Sequence, residues 1–209
     1  MEKFVITVNR CCGSNGASVA RKVAEKLGIG FYDRDLIDLA SEQSGISLEL
    51  FAAADERVKN SLLTRISTDE YDGTLITPES DDFDDYQKLF DYQADVIRNL
   101  AKKESCVIVG RCADYVLLNE DVNLVRVFVG ARDHTCVQNE MKRLSITNKQ
   151  AKERINKINT YRKEYYHHHT GRRWNSARNY DICISTTVLS TDECADIIIQ
   201  YLNKTLKKD

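Results

Sequence analysis

The sequence predicts an α/β fold built on a mostly parallel central sheet. Short apolar runs alternate with segments whose apolar residues recur at helical spacing, which is the pattern of βαβ units. The run Ser105–Val109 is apolar almost without break, as expected of a strand covered on both faces. The chain has 209 residues, 42% of them apolar and 30% charged, enough for one substantial core.

The elements follow in order. Phe4–Val8 is the first expected strand; Val19, Ala20, Val23, Ala24 and Leu27 then recur at helical spacing, and Gly28 follows as a stop. Ile29–Tyr32 reads as a second strand, with a helix expected over Asp35–Ala40. Tyr86, Leu89, Phe90, Gln93, Ile97 and Leu100 mark one face of a longer helix ending near Lys103. After Ser105–Val109 comes a strand at Leu124–Val129 and a helix over Asp133–Leu144. Asp181–Ser185 is the last strand. Ser190-Thr-Asp-Glu193 then forms a capping box, and Ala195, Ile198, Ile199, Leu202 and Leu206 line the buried side of a final helix. Two stretches break the alternation. Residues 42–85 hold the only proline, Pro78, and the acidic Asp81-Asp-Phe-Asp-Asp85, and read as a solvated, mobile loop. Residues 145–179 are dense in Lys, Arg, Tyr and His.

Charge and composition exclude several classes. A formal net charge of -2 supplies no electrostatic basis for binding nucleic acid or an anionic membrane. No apolar run approaches the roughly 20 residues that span a bilayer, and the first residues read as a strand rather than a signal peptide. The seven cysteines are an odd number without a CxxC pair, and read as free thiols of a cytoplasmic protein.

The most informative segment is Asn9-Arg-Cys-Cys-Gly13-Ser-Asn-Gly16-Ala-Ser18, between the first strand and first helix. Glycines let the backbone turn tightly so that amide N–H groups converge, and the helix start adds about half a positive charge. Together these are the makings of an anion cradle, with the Ser18 hydroxyl available to phosphate or magnesium. The segment is neither GxGxxG nor GxxxxGK[ST], and a bare strand-to-helix turn is its plain alternative.

Arg10, Gly13-Ser14-Asn15-Gly16, Leu27-Gly28 and Phe31-Tyr32-Asp33-Arg34 resemble, in this order, the opening of the cytidylate kinase-like family of P-loop nucleotide kinases. The resemblance runs on through Val107-Ile-Val-Gly-Arg111, Val127-Phe-Val-Gly-Ala131, Tyr165-Tyr166, Gly171 and Trp174 to Tyr180-Asp-Ile-Cys-Ile-Ser-Thr186. It implies a three-layer P-loop NTPase-like fold over a single domain, 1–209, with a substrate-side helical insertion at 42–103 and a lid at 145–179. It further implies an ATP- and Mg2+-dependent phosphotransferase acting on a nucleoside monophosphate or related small molecule. On that basis Arg10, Gly13, Ser14, Asn15, Gly16, Ala17 and Ser18 would hold the ATP phosphates, Arg34 and Arg111 the acceptor, and Arg111, Arg162 and Asp33 would serve catalysis. Arg154, Arg172 and Arg173 are further lid candidates. A homodimer is compatible with the sequence, though no residue demands it.

The chain departs from the pattern it resembles. Gly16 stands where cytidylate kinases carry the phosphate-loop lysine, Ala17 stands where the family often has Arg, and Cys112 replaces the aspartate of Gly-Arg-Asp. Either Arg10, Arg21 or a lid arginine substitutes, or the protein is a non-catalytic nucleotide- or anion-binding module. A dinucleotide-binding domain is a third reading, with Asp33 its one candidate ribose ligand. His167-His168-His169 reads as a polar lid face, because adjacent helical side chains diverge by about 100° and do not converge on one metal. Cys11 and Cys12 read as packing residues, with a redox switch as the alternative, and Trp174 as a lid anchor.

Overall fold

The computed structural model describes residues 3–33 and 81–206. The expected helix at 35–40, Arg34 and the rest of 34–80 lie outside the described residues. Five strands form one parallel sheet: β1 (Phe4–Arg10), β2 (Gly30–Tyr32), β3 (Cys106–Val109), β4 (Asn123–Gly130) and β5 (Ile182–Ser185), in the spatial order β2-β3-β1-β4-β5. With β3 between β1 and β2, this is not the 3-2-1-4-5-6 order of dinucleotide-binding sheets, and that reading falls.

Among the described residues the helices are α1 (Gly16–Leu27), α2 (Asp81–Lys103), the short α3 (Ala113–Val116), α4 (Asp133–Leu144), α5 (Asn148–Thr170) and α6 (Thr191–Thr205). Side-chain alternation along β1 builds two cores. Phe4, Ile6 and Val8 join Val107, Val109, Val125, Val127 and Val129 under the apolar stripes of α1 and α6. Val5 faces the other way, with Cys106 and Ile108, into a cluster with Ala94, Ile97 and Leu100 of α2 and Ala113 and Val116 of α3. α6 is capped as expected, the Ser190 side chain accepting from the Glu193 amide and Glu193 accepting from that of Ser190.

One expectation is corrected. The acidic Asp81–Asp85 lies in helix α2 rather than in a loop. The basic stretch after Ser145 is mostly one helix, α5, opened by a Thr147–Gln150 capping box and closed at Gly171 in the left-handed conformation (φ 66°). Only Ala151, Tyr165 and Tyr166 of its 23 residues are buried, so α5 lacks the apolar stripe that marks α1 and α6.

Candidate phosphate-binding cleft

The loop from Cys11 to Asn15 is held from behind. The Cys11 amide donates to Val129 O (3.0 Å), which extends the β1–β4 ladder past the strand. Ser14 is fully buried, its hydroxyl directed to Cys11 O (2.9 Å) and Val129 O (3.1 Å), so it braces the turn and its side chain does not face the cleft. Asn139 Nδ2 donates to Gly13 O (2.8 Å) and Thr186 Oγ1 to Ser14 O (2.8 Å). Gly13 is left-handed (φ 79°), and a Cβ there would sit 2.5 Å from the Cys136 carbonyl oxygen, so no other residue fits. Asn15 is left-handed too (φ 56°) and turns the chain into α1. With the carbonyls tied back, the amides of Gly13, Asn15, Gly16, Ala17 and Ser18 meet no acceptor among the described residues and line the cleft. This is a nest of donors at a helix start, suited to an anion.

The cleft is about 640 Å³ and opens over the carboxyl ends of β1, β2 and β3. Arg10 and Asp33 enter from the ends of β1 and β2, with Arg10 Nη2 3.3 Å from Asp33 Oδ1. Arg111 enters after β3, where Gly110 (φ 79°), Arg111 (φ 54°) and Cys112 (φ 54°) are left-handed in succession. Two such non-glycine residues cost roughly 1–2 kcal/mol each, and the Gly110 amide on Val8 O (3.1 Å) helps hold the turn. Arg162 comes from α5 and donates Nη1 to Arg10 O at 2.7 Å. Burial and the nearby Arg162 and Arg111, opposed by Asp33, pull the Arg10 guanidinium down to about 9, so it stays cationic at neutral pH. Burial lowers Arg162 as well. Three guanidiniums therefore converge beside the amide nest.

Groups that pattern reading did not single out complete the site. Asn159, one turn before Arg162 on α5, accepts the Cys12 amide at its Oδ1 (2.8 Å). Glu140 of α4, buried at the cleft wall, takes Arg143 (2.7 and 3.1 Å) and Arg154 (3.0 Å). Burial pushes the Glu140 carboxyl up, but the hydrogen bonds from Arg143 and Arg154 outweigh it and hold it below the usual range. Beneath the cleft, Asp114 accepts from Asn9 Nδ2 (2.9 Å) and Tyr166 Oη (2.6 Å), and burial raises its pKa against those two bonds. The i,i+3 spacing of Glu140 and Arg143 was a usable signal; the contacts to Asp114 and Asn159 cross 52 to 147 residues and left none.

Cys112, Tyr161, Tyr165, Tyr166 and Trp174 form the aromatic side of the cleft. Trp174 is 4% exposed and packs edge-on against Phe128 (centroids 5.2 Å), which is an anchoring role. Arg172 lies over Tyr115 (5.2 Å), and neither it nor Arg173 lines the cleft. Nor do the histidines form one polar face, since His169 stacks on Phe90 with centroids 4.0 Å apart. Burial raises the Cys11 and Cys12 thiols against the lowering effect of Arg162, so neither is activated by its place before α1.

A parallel sheet of this order, a phosphate loop between β1 and α1, and a basic helix across its carboxyl end together define a P-loop NTPase fold of the kinase type. The chain belongs to the cytidylate kinase-like family, whose sequence model matches residues 5–188. An uncharacterized protein from Eubacterium ventriosum ATCC 27560 has a similar structure, with 27% identity and a TM-score of 0.68 over 96% of this chain and 99% of that one. A gluconokinase from Sinorhizobium meliloti 1021 (15% identity, TM-score 0.51, covering 99% and 98%) shares the fold. So does the APS kinase of Mycobacterium tuberculosis in complex with AMPPNP and APS (18% identity, TM-score 0.50, covering 97% and 98%). No curated protein matches the sequence. Among the described residues, no helix is long and apolar enough to cross a membrane.

Proposed function

We propose that this protein is an ATP-dependent phosphotransferase acting on a small anionic acceptor, a nucleoside monophosphate or a compound of similar size and charge. The carrying observation is the convergence of Arg10, Arg111 and Arg162 on a loop whose Gly13, Asn15, Gly16, Ala17 and Ser18 amides have no acceptor among the described residues. Phosphoryl transfer asks mainly for positioning and charge neutralisation, and both are supplied here by fixed donors. The amides of Gly13, Asn15, Gly16, Ala17 and Ser18 receive the phosphates, while Arg162 from the lid side and Arg111 from the acceptor side flank the transferred group. Asp33 is bound to Arg10, which favours an orienting role over that of a base for a hydroxyl acceptor, and so supports an acceptor that is already anionic.

The donor set fits a nucleotide triphosphate. Magnesium would rest mainly on phosphate oxygens and water, with the exposed Ser18 hydroxyl of the cleft available to it. All seven cysteines are free thiols, which suits a reducing cytoplasm. A non-catalytic nucleotide-binding role is the second reading, favoured by Cys112, which is 2% exposed among aromatic rings where the resembled pattern has an aspartate.

Calorimetric titration with MgATP, then with CMP added, tests the first reading. Wild type is expected to bind MgATP, and Arg111→Ala to lose any strengthening by the monophosphate. Arg162→Ala is expected to lower turnover by roughly 10²–10³. Absence of binding to any nucleotide at millimolar concentration would sink the proposal, and binding without turnover on any monophosphate would select the second reading.

A further inference from the structure

The missing lysine has a physical counterpart in the cleft. Gly16 is buried, and its backbone is not left-handed, so conformation does not demand glycine there. Space does. A Cβ on Gly16 would lie 2.4 Å from Arg10 Cβ, 3.1 Å from Arg10 Cγ and 3.1 Å from Val129 Cβ. The stem of Arg10 thus lies across Gly16. Its guanidinium reaches Gly110, where a Cβ would meet Nη1 at 2.5 Å, and Asp33, which holds Nη2 at 3.3 Å.

Counting along the common phosphate-loop pattern G-x-x-x-x-G-K-[ST] identifies what changed. With Gly16 at the lysine, the second glycine falls on Asn15, and Asn15 has the left-handed backbone (φ 56°) that glycine adopts readily. That agreement fixes the register independently of Gly16. The first glycine of the pattern then falls on Arg10. The chain carries a long cation where the pattern has a glycine and a glycine where the pattern has a long cation, and the two positions share one volume.

We propose that positions 10 and 16 have exchanged roles: Arg10 supplies the positive charge that a phosphate-loop lysine supplies elsewhere, and Gly16 is bare because Arg10 occupies its side-chain space. This rests on the reading of the cleft as a nucleotide phosphate site and selects among its cations. Arg162 is fastened to the Arg10 backbone from another helix, and Arg111 is carried by the turn after β3; Arg10 alone fills the space a side chain at position 16 would need. The exchange also alters the ligand's surroundings. A lysine offers one compact ammonium, whereas the guanidinium is planar and presents a two-pronged edge to phosphate oxygens. Asp33 on one edge of Arg10 fixes which donors remain toward the loop.

The test is a cycle over the two positions, read by MgATP affinity and by thermal stability without ligand. Arg10→Gln keeps a stem over Gly16 and removes the charge, and is expected to weaken MgATP by about a hundredfold with little loss of stability. Gly16→Lys alone forces two side chains into one volume and is expected to lower both readouts. The double variant Arg10→Gly with Gly16→Lys restores the common pattern; it is expected to be more stable than Gly16→Lys and to regain at least about tenfold of the affinity lost in Arg10→Gly. Wild-type affinity in Arg10→Gln would overturn the role of the charge. A Gly16→Lys cost in stability that is the same with and without Arg10 would overturn the shared volume. A wild-type protein that binds no nucleotide would instead defeat the functional reading and the charge role built on it, while the stability half of the cycle still judges the packing.

Discussion

The two faces of the sheet are covered by different chemistry. Under α1 and α6, Phe4, Ile6 and Val8 of β1 meet aliphatic side chains and the Cys194 thiol, and the cluster extends along the whole strand. The opposite face begins alike, with Val5 in a cluster with Ile97 and Leu100. It then turns polar toward the carboxyl end. The Thr7 hydroxyl has no partner among the described residues, Asn9 bonds Asp114, and Asp114 takes Tyr166 from α5. Burying a carboxylate disfavours its charged form, so this end of the face stabilises the fold less per residue than the apolar one. What it provides is placement: through Tyr166 it seats the helix that carries Asn159 and Arg162 over the phosphate loop. Stability is concentrated on one face, and the site is assembled at the polar end of the other.

The sharpest way to break this division is to damage each face and measure both stability and MgATP affinity. Ile198→Ala removes a fully buried side chain of α6 and should cost about 2–5 kcal/mol of stability, with MgATP affinity in the still-folded protein unchanged. Tyr166→Phe leaves the buried Asp114 carboxylate with Asn9 as its remaining side-chain donor. The expected cost is smaller, about 1–3 kcal/mol, but nucleotide affinity should fall with it because α5 loses one of the bonds that seat it. Equal loss of affinity in both variants would erase the distinction between the faces.

Protonation probes the same helix without changing its tether. His169 is half-buried between Phe90 and Tyr165, and this desolvation, with His168 beside it, lowers its pKa to about 3. A folded pKa below the ordinary 6.5 means the neutral ring contributes stability in full above pH 6.5 and loses it as pH falls toward 3. Thermal melts should show a loss of about 1 kcal/mol per pH unit below 6.5, and His169→Phe should flatten that slope. An unchanged slope in the variant would assign the acid sensitivity to other groups.

The same contrast explains what could be read from residues alone. Strands β1, β3 and β4 announced themselves as short apolar runs, and helices α1 and α6 because apolar side chains recurring with period 3.6 reflect burial on one face. α5 buries two tyrosines and an alanine in 23 residues, so it shows in the sequence as charge density, and its Thr147-x-x-Gln150 cap precedes no apolar run that would mark a helix start. The phosphate loop was legible from Gly13 and Gly16 and from its place between strand and helix. The reason for Gly16 was not, because it is the path of the Arg10 side chain, six positions earlier and across a turn. Asp114 was invisible for a related cause: only the fold brings Asn9 and Tyr166 to it from 105 and 52 residues away.

The smallest expected effect compares one device on the two faces. Ser190 and Thr147 each close a capping box, at the starts of α6 and α5 respectively. Replacing either with alanine removes the side-chain acceptor of one helix amide, a change of about 1 kcal/mol. Beyond their caps the two helices differ in burial. α6 buries Cys194, Ala195, Ile198 and Leu202, so fraying its first turn loosens the main core, and Ser190→Ala should lower the global melting temperature. Before Tyr165 the only buried residue of α5 is Ala151, so Thr147→Ala should open the helix start without unfolding the rest. Hydrogen exchange read peptide by peptide separates the two: faster exchange confined to 148–158 in Thr147→Ala, against a shift spread over the sheet in Ser190→Ala. A global loss in Thr147→Ala would mean that the start of α5 belongs to the core's cooperative unit, and that the cleft-side helix cannot open independently of the sheet beneath it.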